Sequence, residues 1–198
     1  MAGTDIAIAC RCGEFGAVLK HASPKTGSHV QCYCKDCQAG AKALGAEDTL
    51  MPRGGTDIFQ TLPASVEITK GEAHLAALRL SPRGLIRWYA SCCDTPVFNT
   101  LGTQKLSFVG LFVNTMQGDA VDKTVGKVIA VNSAETAAPG VGVLKSYGFN
   151  KAGFHVLARH FGAMLRGDAK TGPFFDAEGA PTVTPRVLTK DERRVATP

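Results

Sequence analysis

Cys32-Tyr33-Cys34-Lys35-Asp36-Cys37-Gln38 places three cysteines within six residues and requires a turn of the chain between the second and the third. Thiolates at this spacing can converge on one soft cation, and three protein ligands on zinc leave a fourth position for water or substrate. Immediately upstream, His29-Val30-Gln31-Cys32 reads as a strand running into the motif. Downstream, Gln38-Ala39-Gly40-Ala41-Lys42-Ala43-Leu44 reads as a short helix that leaves it and stops near Gly45. A helix N-terminus beside thiolates favours their negative charge.

Further upstream, Thr4 to Ala9 and Glu14 to Lys20 are β-compatible and flank Cys10-Arg11-Cys12-Gly13. That pattern predicts a hairpin carrying a metal knuckle, because cysteines two apart share one side of a strand and Gly13 supplies the positive φ of a tight turn. Beyond the motif, Thr56 to Gln60, Val66 to Thr69, Leu75 to Leu80, Leu85 to Ala90, Val97 to Asn99 and Leu106 to Val113 are strand-length pieces. They are punctuated by Pro63, Gly71 and Ser81-Pro82-Arg83-Gly84. The class is therefore mainly β, built of short strands. Val125 to Val131 fits either a strand or a buried helix. Asn150 to Gly167 predicts a helix, with Phe154, Leu157, Phe161 and Leu165 on one stripe, Asn150 as N-cap and Gly167 as C-terminal stop. His155, Arg159 and Arg166 fall on its other face; a basic amphipathic helix can lie on a membrane surface, but such stripes more often dock on the protein's own core, and that seating is expected here. From Thr171 onward, Pro173, Pro181 and Pro185 predict extended chain. The organisation expected is a zinc-binding β domain over residues 1–114 and a C-terminal extension over 115–198, packed on it and carrying the helix near 150–166.

With 198 residues and 44% apolar content the chain can bury a substantial core. The first ten residues lack the basic and long apolar regions of a signal peptide, and no apolar run has membrane-spanning length. A cytoplasmic location follows as the expectation. In a reducing compartment seven cysteines point to metal rather than to disulfides. The formal charge of +5 is scattered, with Arg193-Arg194 the sole adjacent basic pair, so no nucleic-acid partner is expected. With no membrane-length run and the helix stripe expected on the core, no membrane is expected either.

The seven cysteines divide into Cys32, Cys34 and Cys37, an open set, and Cys10, Cys12, Cys92 and Cys93, a set able to close a structural tetrahedron. His29 is a poor fourth ligand for the open set, since its odd offset from Cys32 on a strand points the two side chains to opposite faces. His21, His74, His155 and His160 stay available.

Cys10-x-Cys12-Gly13, then Cys32-x-Cys34-x-x-Cys37, then a cysteine before Thr95-Pro96 resembles the glutathione-dependent formaldehyde-activating enzyme family, which also includes centromere protein V. The resemblance covers roughly residues 8 to 113. It implies a β-tent-like zinc fold of antiparallel strands, a structural zinc on the outer cysteines and a catalytic zinc on Cys32, Cys34 and Cys37. It also implies a small thiol such as glutathione as substrate and carbon-sulfur lyase chemistry like that of S-hydroxymethylglutathione synthase. The family's Cys-x-x-Cys-Gly-Thr-Pro departs here: Ala90 stands at the first cysteine, Cys93 at the second and Asp94 at the glycine. Cys92 can replace the missing ligand only from a turn, because adjacent residues of a regular strand point apart. Arg87, Arg53, Lys35 and Lys42 are donors available for a substrate carboxylate. A zinc module that binds a protein partner and a thiol-redox protein are the alternative readings.

Overall fold

A computed structural model describes residues 3–198. The architecture is mainly sheet, with four α-helices among the described residues. Strands β1 (Thr4–Ala9), β2 (Gly16–Ala22), β5 (Val66–Lys70) and β10 (Met116–Gln117) form one sheet in the order β10-β1-β2-β5. The second sheet runs β11-β3-β4-β9-β8-β7-β6-β12, from β3 (Ser28–Cys32), β4 (Thr56–Thr61), β6 (Leu75–Arg79), β7 (Ile86–Ala90), β8 (Thr95–Thr100), β9 (Val109–Phe112), β11 (Val128–Asn132) and β12 (Arg186–Val187). Its interior is antiparallel, whereas both edges pair in parallel: β11 with β3 and β12 with β6. The segment beyond residue 114 thus supplies a strand to one edge of the first sheet and to both edges of the second.

The strands obey their side-chain period. Ile6 and Ile8 of β1 and Ala17 and Leu19 of β2 point inward, and every residue of β8 and β9 is buried. These faces join Phe15, Phe59, Trp88, Phe98 and Leu111 in one core between the sheets. Trp88 is fully buried; its Nε1 donates to Thr100 Oγ1 at 2.9 Å and its ring packs on Phe174 at 5.2 Å.

Helix α1 (Lys35–Ala43) follows β3, α2 (Val121–Val125) precedes β11, α3 is Phe149–Arg166 and α4 is Lys190–Ala196. Gly148, at φ 74°, caps α3 in place of Asn150, which lies inside the helix; a side chain at Gly148 would collide with the Ile129 carbonyl. The segment 125–131, ambiguous by pattern, divides between the end of α2 and the strand β11. The tail is not simply extended, because Thr189 and Glu192 form a reciprocal capping box that starts α4, and Ala196 packs with Ala39 and Leu188.

The expected seating of α3 is reversed. Phe154 (69% exposed), Leu157 (47%), Phe161 (59%) and Leu165 (91%) face solvent. Ala152 and Ala163 are buried instead, and Val30 and Ala130 of the sheet pack on Ala152. The cause lies in what the underlying surface offers. Ser28 Oγ lies 3.3 Å from His155 Nδ1 and accepts from Arg159 Nη1 at 3.0 Å, while the Ser107 amide donates to His160 Nδ1 at 3.1 Å. Buried polar groups demand polar partners, so the polar stripe turns inward.

On the opposite face of β3, His29 sits between the Gly126 carbonyl and Asp57 Oδ1, each 2.7 Å from a ring nitrogen. Burial disfavours the imidazolium, but the Asp57 hydrogen bond and the Gly126 carbonyl outweigh it and raise its pKa above the usual value. The stabilisation from this pair is therefore complete below the unfolded pKa of about 6.5 and is lost as the pH rises through the higher folded value. Asp57→Asn is expected to lower stability by about 1 kcal/mol near pH 5.5 and by clearly less near pH 8.5. Urea unfolding at the two pH values checks this, and equal losses would show that His29 is neutral throughout.

Candidate metal centres

All seven cysteines are free thiols, and they gather into two groups, Cys10, Cys12, Cys92 and Cys93, and Cys32, Cys34 and Cys37. Within each group the sulfurs lie within 4.8 Å of one another.

The outer group joins the two sheets. Cys10 and Cys12 stand in the β1–β2 turn, closed by Cys10 N–H donating to the Phe15 carbonyl and Gly13 N–H to the Cys10 carbonyl, both at 3.1 Å. Gly13 takes φ 76°, as its place beside the ligands requires, and the Phe15 amide donates to Cys10 Sγ at 3.3 Å. Cys92 and Cys93 stand in the turn from β7 to β8, where Cys93 N–H donates to the Ala90 carbonyl at 3.2 Å and Asp94 adopts φ 54°. A turn frees two adjacent side chains to reach one point, so Cys92 supplies the fourth sulfur while Ala90 is buried in β7. Arg11 fastens the two turns: its amide donates to Thr95 Oγ1 at 3.2 Å and its Nη2 to the Cys93 carbonyl at 2.8 Å.

Sulfur separations in this group are 3.5 Å (Cys10–Cys12), 3.7 Å (Cys10–Cys92), 3.3 Å (Cys12–Cys92) and 3.9 Å (Cys92–Cys93). They are too long for disulfides, whose sulfurs lie about 2.05 Å apart. Four sulfurs each about 2.3 Å from one zinc in a tetrahedron stand ~3.8 Å from each other, so the donor set fits such an ion. Burial pushes the Cys93 thiol up, yet Thr95 Oγ1 at 3.0 Å and the Cys12 backbone outweigh it and bring it down to about 6.

The middle group is built at the exit from β3. Cys32 ends the strand, Cys34 is the N-cap of α1, and Cys37 lies in its first turn, where its amide donates to Cys34 Sγ at 3.3 Å. A thiolate at this position satisfies an orphan helix N–H and meets the positive end of the dipole. Hydrogen bonds from Cys32 and Cys37, the Cys37 amide and the nearby Arg87 charge hold Cys34 down to about 2. Cys32, which donates to Cys34, is pushed up to about 11, and Cys37 is raised by its hydrogen bonds to Cys32 and then Cys34 and by burial. Three thiols this close cannot all ionise without a counter-charge, and a divalent cation would supply it.

The backbone between Cys32 and Cys34 is pinned. Tyr33 N–H donates to the Asn132 carbonyl at 2.9 Å, and the Tyr33 carbonyl accepts from Gln38 Nε2 and Thr136 Oγ1, both at 2.7 Å. Arg87, only 6% exposed, lies beneath α1, donating to the Asp36 carbonyl at 2.9 Å. Gly40 makes room for it, since a Cβ there would stand 2.5 Å from Arg87 Nε. Gln38 and Gly40 fall inside stretches the sequence singled out, but their roles depend on Thr136 and Arg87, which are remote in the chain. A charge inside the apolar run Ile86-Arg87-Trp88 is the one local signal of such a role. Arg53 instead donates to the Ala138 carbonyl at 2.8 Å, and Lys35 and Lys42 are exposed on α1.

Among the described residues, no histidine or carboxylate joins the three middle cysteines. His29 is committed to Asp57 and Gly126, His155 lies against Ser28 and His160 against Ser107. Asn132, directly across the ladder from Cys32, borders an open cleft of about 520 Å³ that is also lined by Tyr147, Asn150 and Lys151.

The chain belongs to the family of unknown function DUF6151, whose model matches residues 3–183. It is similar to a Rhodobacter sphaeroides protein of known crystal structure, at 13% identity and a TM-score of 0.44, over 64% of this chain and 99% of that one. No curated protein matches it.

Purified protein is expected to carry two metal equivalents per chain, falling to one in Cys92→Ser and to one in Cys37→Ser, as read by elemental analysis. Cys92→Ser should lower the melting temperature by about 10 °C, because the outer centre bridges the sheets. Arg87→Met should weaken the remaining middle centre of Cys92→Ser by about tenfold or more toward a competing chelator. One equivalent in the wild type would refute the three-plus-four division.

Proposed function

We propose that Cys32, Cys34 and Cys37 hold a zinc ion whose fourth position takes the sulfur of a small thiol, and that the protein makes or breaks a carbon-sulfur bond between that thiol and an aldehyde. The observation that carries this reading is a set of three converging thiols with no fourth protein ligand among the described residues. Soft sulfur donors favour zinc over harder cations, and the outer four-cysteine group fits a structural zinc.

Zinc, when bound, keeps a coordinated thiol as thiolate at neutral pH. The side chains around the centre have the remaining tasks. Arg87 offsets the charge of the three ligand thiolates from beneath α1. No cysteine lines the cleft that begins at Asn132, so a peptide-like thiol such as glutathione would have to reach past Asn132 to the centre. Lys151 and Asn150 could then take a carboxylate and an amide of it, while Glu135 in the same lining disfavours a second carboxylate. In the forward direction the thiol sulfur bonds to the aldehyde carbon, the carbonyl pair moves to oxygen, and that oxygen takes the proton the thiol released. In reverse the hydroxyl gives up its proton and the oxygen pair re-forms the carbonyl as the carbon-sulfur bond breaks. The pair of that bond returns to sulfur, which takes up the proton on release, and the aldehyde leaves. The product is an S-(hydroxyalkyl) adduct, which resembles the chemistry of S-hydroxymethylglutathione synthase. Free cysteines in such number suit a reducing compartment, and the cytoplasm is the location this reading favours. A purely structural module would need a protein side chain in the fourth position.

Cobalt substituted at the middle centre of Cys92→Ser gives a direct test. Glutathione titration is expected to change the thiolate-to-cobalt charge-transfer band, with Lys151→Glu weakening the apparent affinity by about fivefold. No change in the band at saturating thiol would sink the enzyme reading.

A further inference from the structure

Helix α3 packs on the sheet with the wrong face for a globular protein. Phe154, Leu157, Phe161, Met164 and Leu165 follow at helical spacing and all face solvent. A continuous apolar stripe of this kind on the surface marks a binding face. The charge around it identifies the occupant. The helix contains Lys151, Arg159 and Arg166 and no acidic residue. Along the edge formed by Ala158 and Gly162, the β2–β3 loop brings up Lys25, and an open cleft of about 450 Å³ is lined there by Lys25, Thr26, Ser65, Arg159 and Arg166. No carboxylate lines this cleft, although Arg166 also pairs with Asp168 just beyond the helix. Arg159 Nη2 is buried with no hydrogen-bond partner, while Nη1 is spent on Ser28.

We propose that this face docks on an anionic phospholipid surface, with the α3 stripe lying in the headgroup boundary and the Lys25–Arg159–Arg166 cleft receiving a lipid phosphate. Apolar side chains on one face of a helix with cations at its edge are the recognised features of an interfacial helix. No helix among the described residues is long and apolar enough to cross a membrane, so α3 would lie in the plane of the surface. A second copy of the chain fits the face less well. Two such helices laid antiparallel bring Lys151 of one toward Arg166 of the other, with no acid on either helix to offset them.

The test uses the full-length, metal-loaded protein and sedimentation with two vesicle preparations, phosphatidylcholine alone and phosphatidylcholine with phosphatidylglycerol. The expected result is pelleting with the second and not the first, weakened by salt. The double variant Phe161→Ser, Leu165→Ser should lower partitioning by about tenfold or more, and Lys25→Glu should lower it by about fivefold. These residues lie on the surface, away from the cysteines, so the variants should keep their metal content and thiol response, which separates this test from that of the centre. Three results would each overturn the proposal: no pelleting with phosphatidylglycerol, pelleting unaffected by the double variant, or a wild-type dimer in solution that the double variant dissolves. Inorganic phosphate that binds the cleft without any vesicle binding would also refute the membrane as occupant.

Discussion

Four sulfurs crowded to within 4.8 Å of each other stand where the two sheets meet. Cys10 and Cys12 come from the turn of the β1–β2 hairpin, and Cys92 and Cys93 from the turn between β7 and β8. Two ionised thiolates at such distances repel strongly in a partly desolvated setting, so without a cation the group can carry little negative charge. A divalent ion reverses the sign of the problem: it converts mutual repulsion into four attractions and fixes two turns that are far apart in sequence. Arg11 has the same effect on a smaller scale, reaching from one turn to the Cys93 carbonyl of the other. The core residues Phe15 and Phe98 belong to these two hairpins, and their rings meet edge to face 6.3 Å apart. Registration of the hairpin turns therefore also registers the core.

The middle centre meets a different constraint. Its three sulfurs are borne by the end of a strand, a helix cap and a first helical turn, so their positions follow from how α1 starts. That start depends on Gln38 and Thr136 gripping the Tyr33 carbonyl and on the glycine at position 40, which lets the helix lie over a buried arginine. Arg87 would be costly in this place without nearby negative charge. The thiolate cluster provides that charge, and the arginine in turn makes the cluster easier to ionise. Helix, cation and thiols are one unit, in which changing any member alters the electrostatics of the other two.

Most of the sheet was legible in the sequence because strand signals are local. The alternation in Thr4 to Ala9 and the near-continuous apolar run of Leu106 to Val113 each need only a short window. The division of the cysteines was legible for a similar reason, since ligand spacing constrains geometry before any fold is known. Three features escape such a reading. The parallel pairings of β11 with β3 and β12 with β6 join segments about a hundred residues apart, and no local pattern encodes them. The helix α4 did announce itself, through Thr189 and Glu192 at capping-box spacing, but it stands in a proline-rich tail that argued for extended chain. The third feature is the seating of α3. Periodicity shows which face of a helix is apolar; whether that face is the buried one depends on the polarity of the surface beneath it, and Ser28 and Ser107 made that surface polar.

Strand β3 ties these observations together within five residues. Its His29 side is neutralised by Asp57 and belongs to the inner face of the sheet, while Ser28, Val30 and Cys32 share the other face. At one end of that face Ser28 receives Arg159, at its middle Val30 meets Ala152, and at its far end Cys32 enters the middle centre. The first turn of α3 accordingly borders the cleft that begins at Asn132, while its later turns border the basic cleft at Lys25. A helix that turned its phenylalanines inward could not do this, because Ala152 and Ala163 are what allow its axis to lie close to the sheet and its polar side chains to reach Ser28 and Ser107. The outward apolar stripe is thus the physical counterpart of a close, polar seat on β3, and the same seat fixes where both clefts lie.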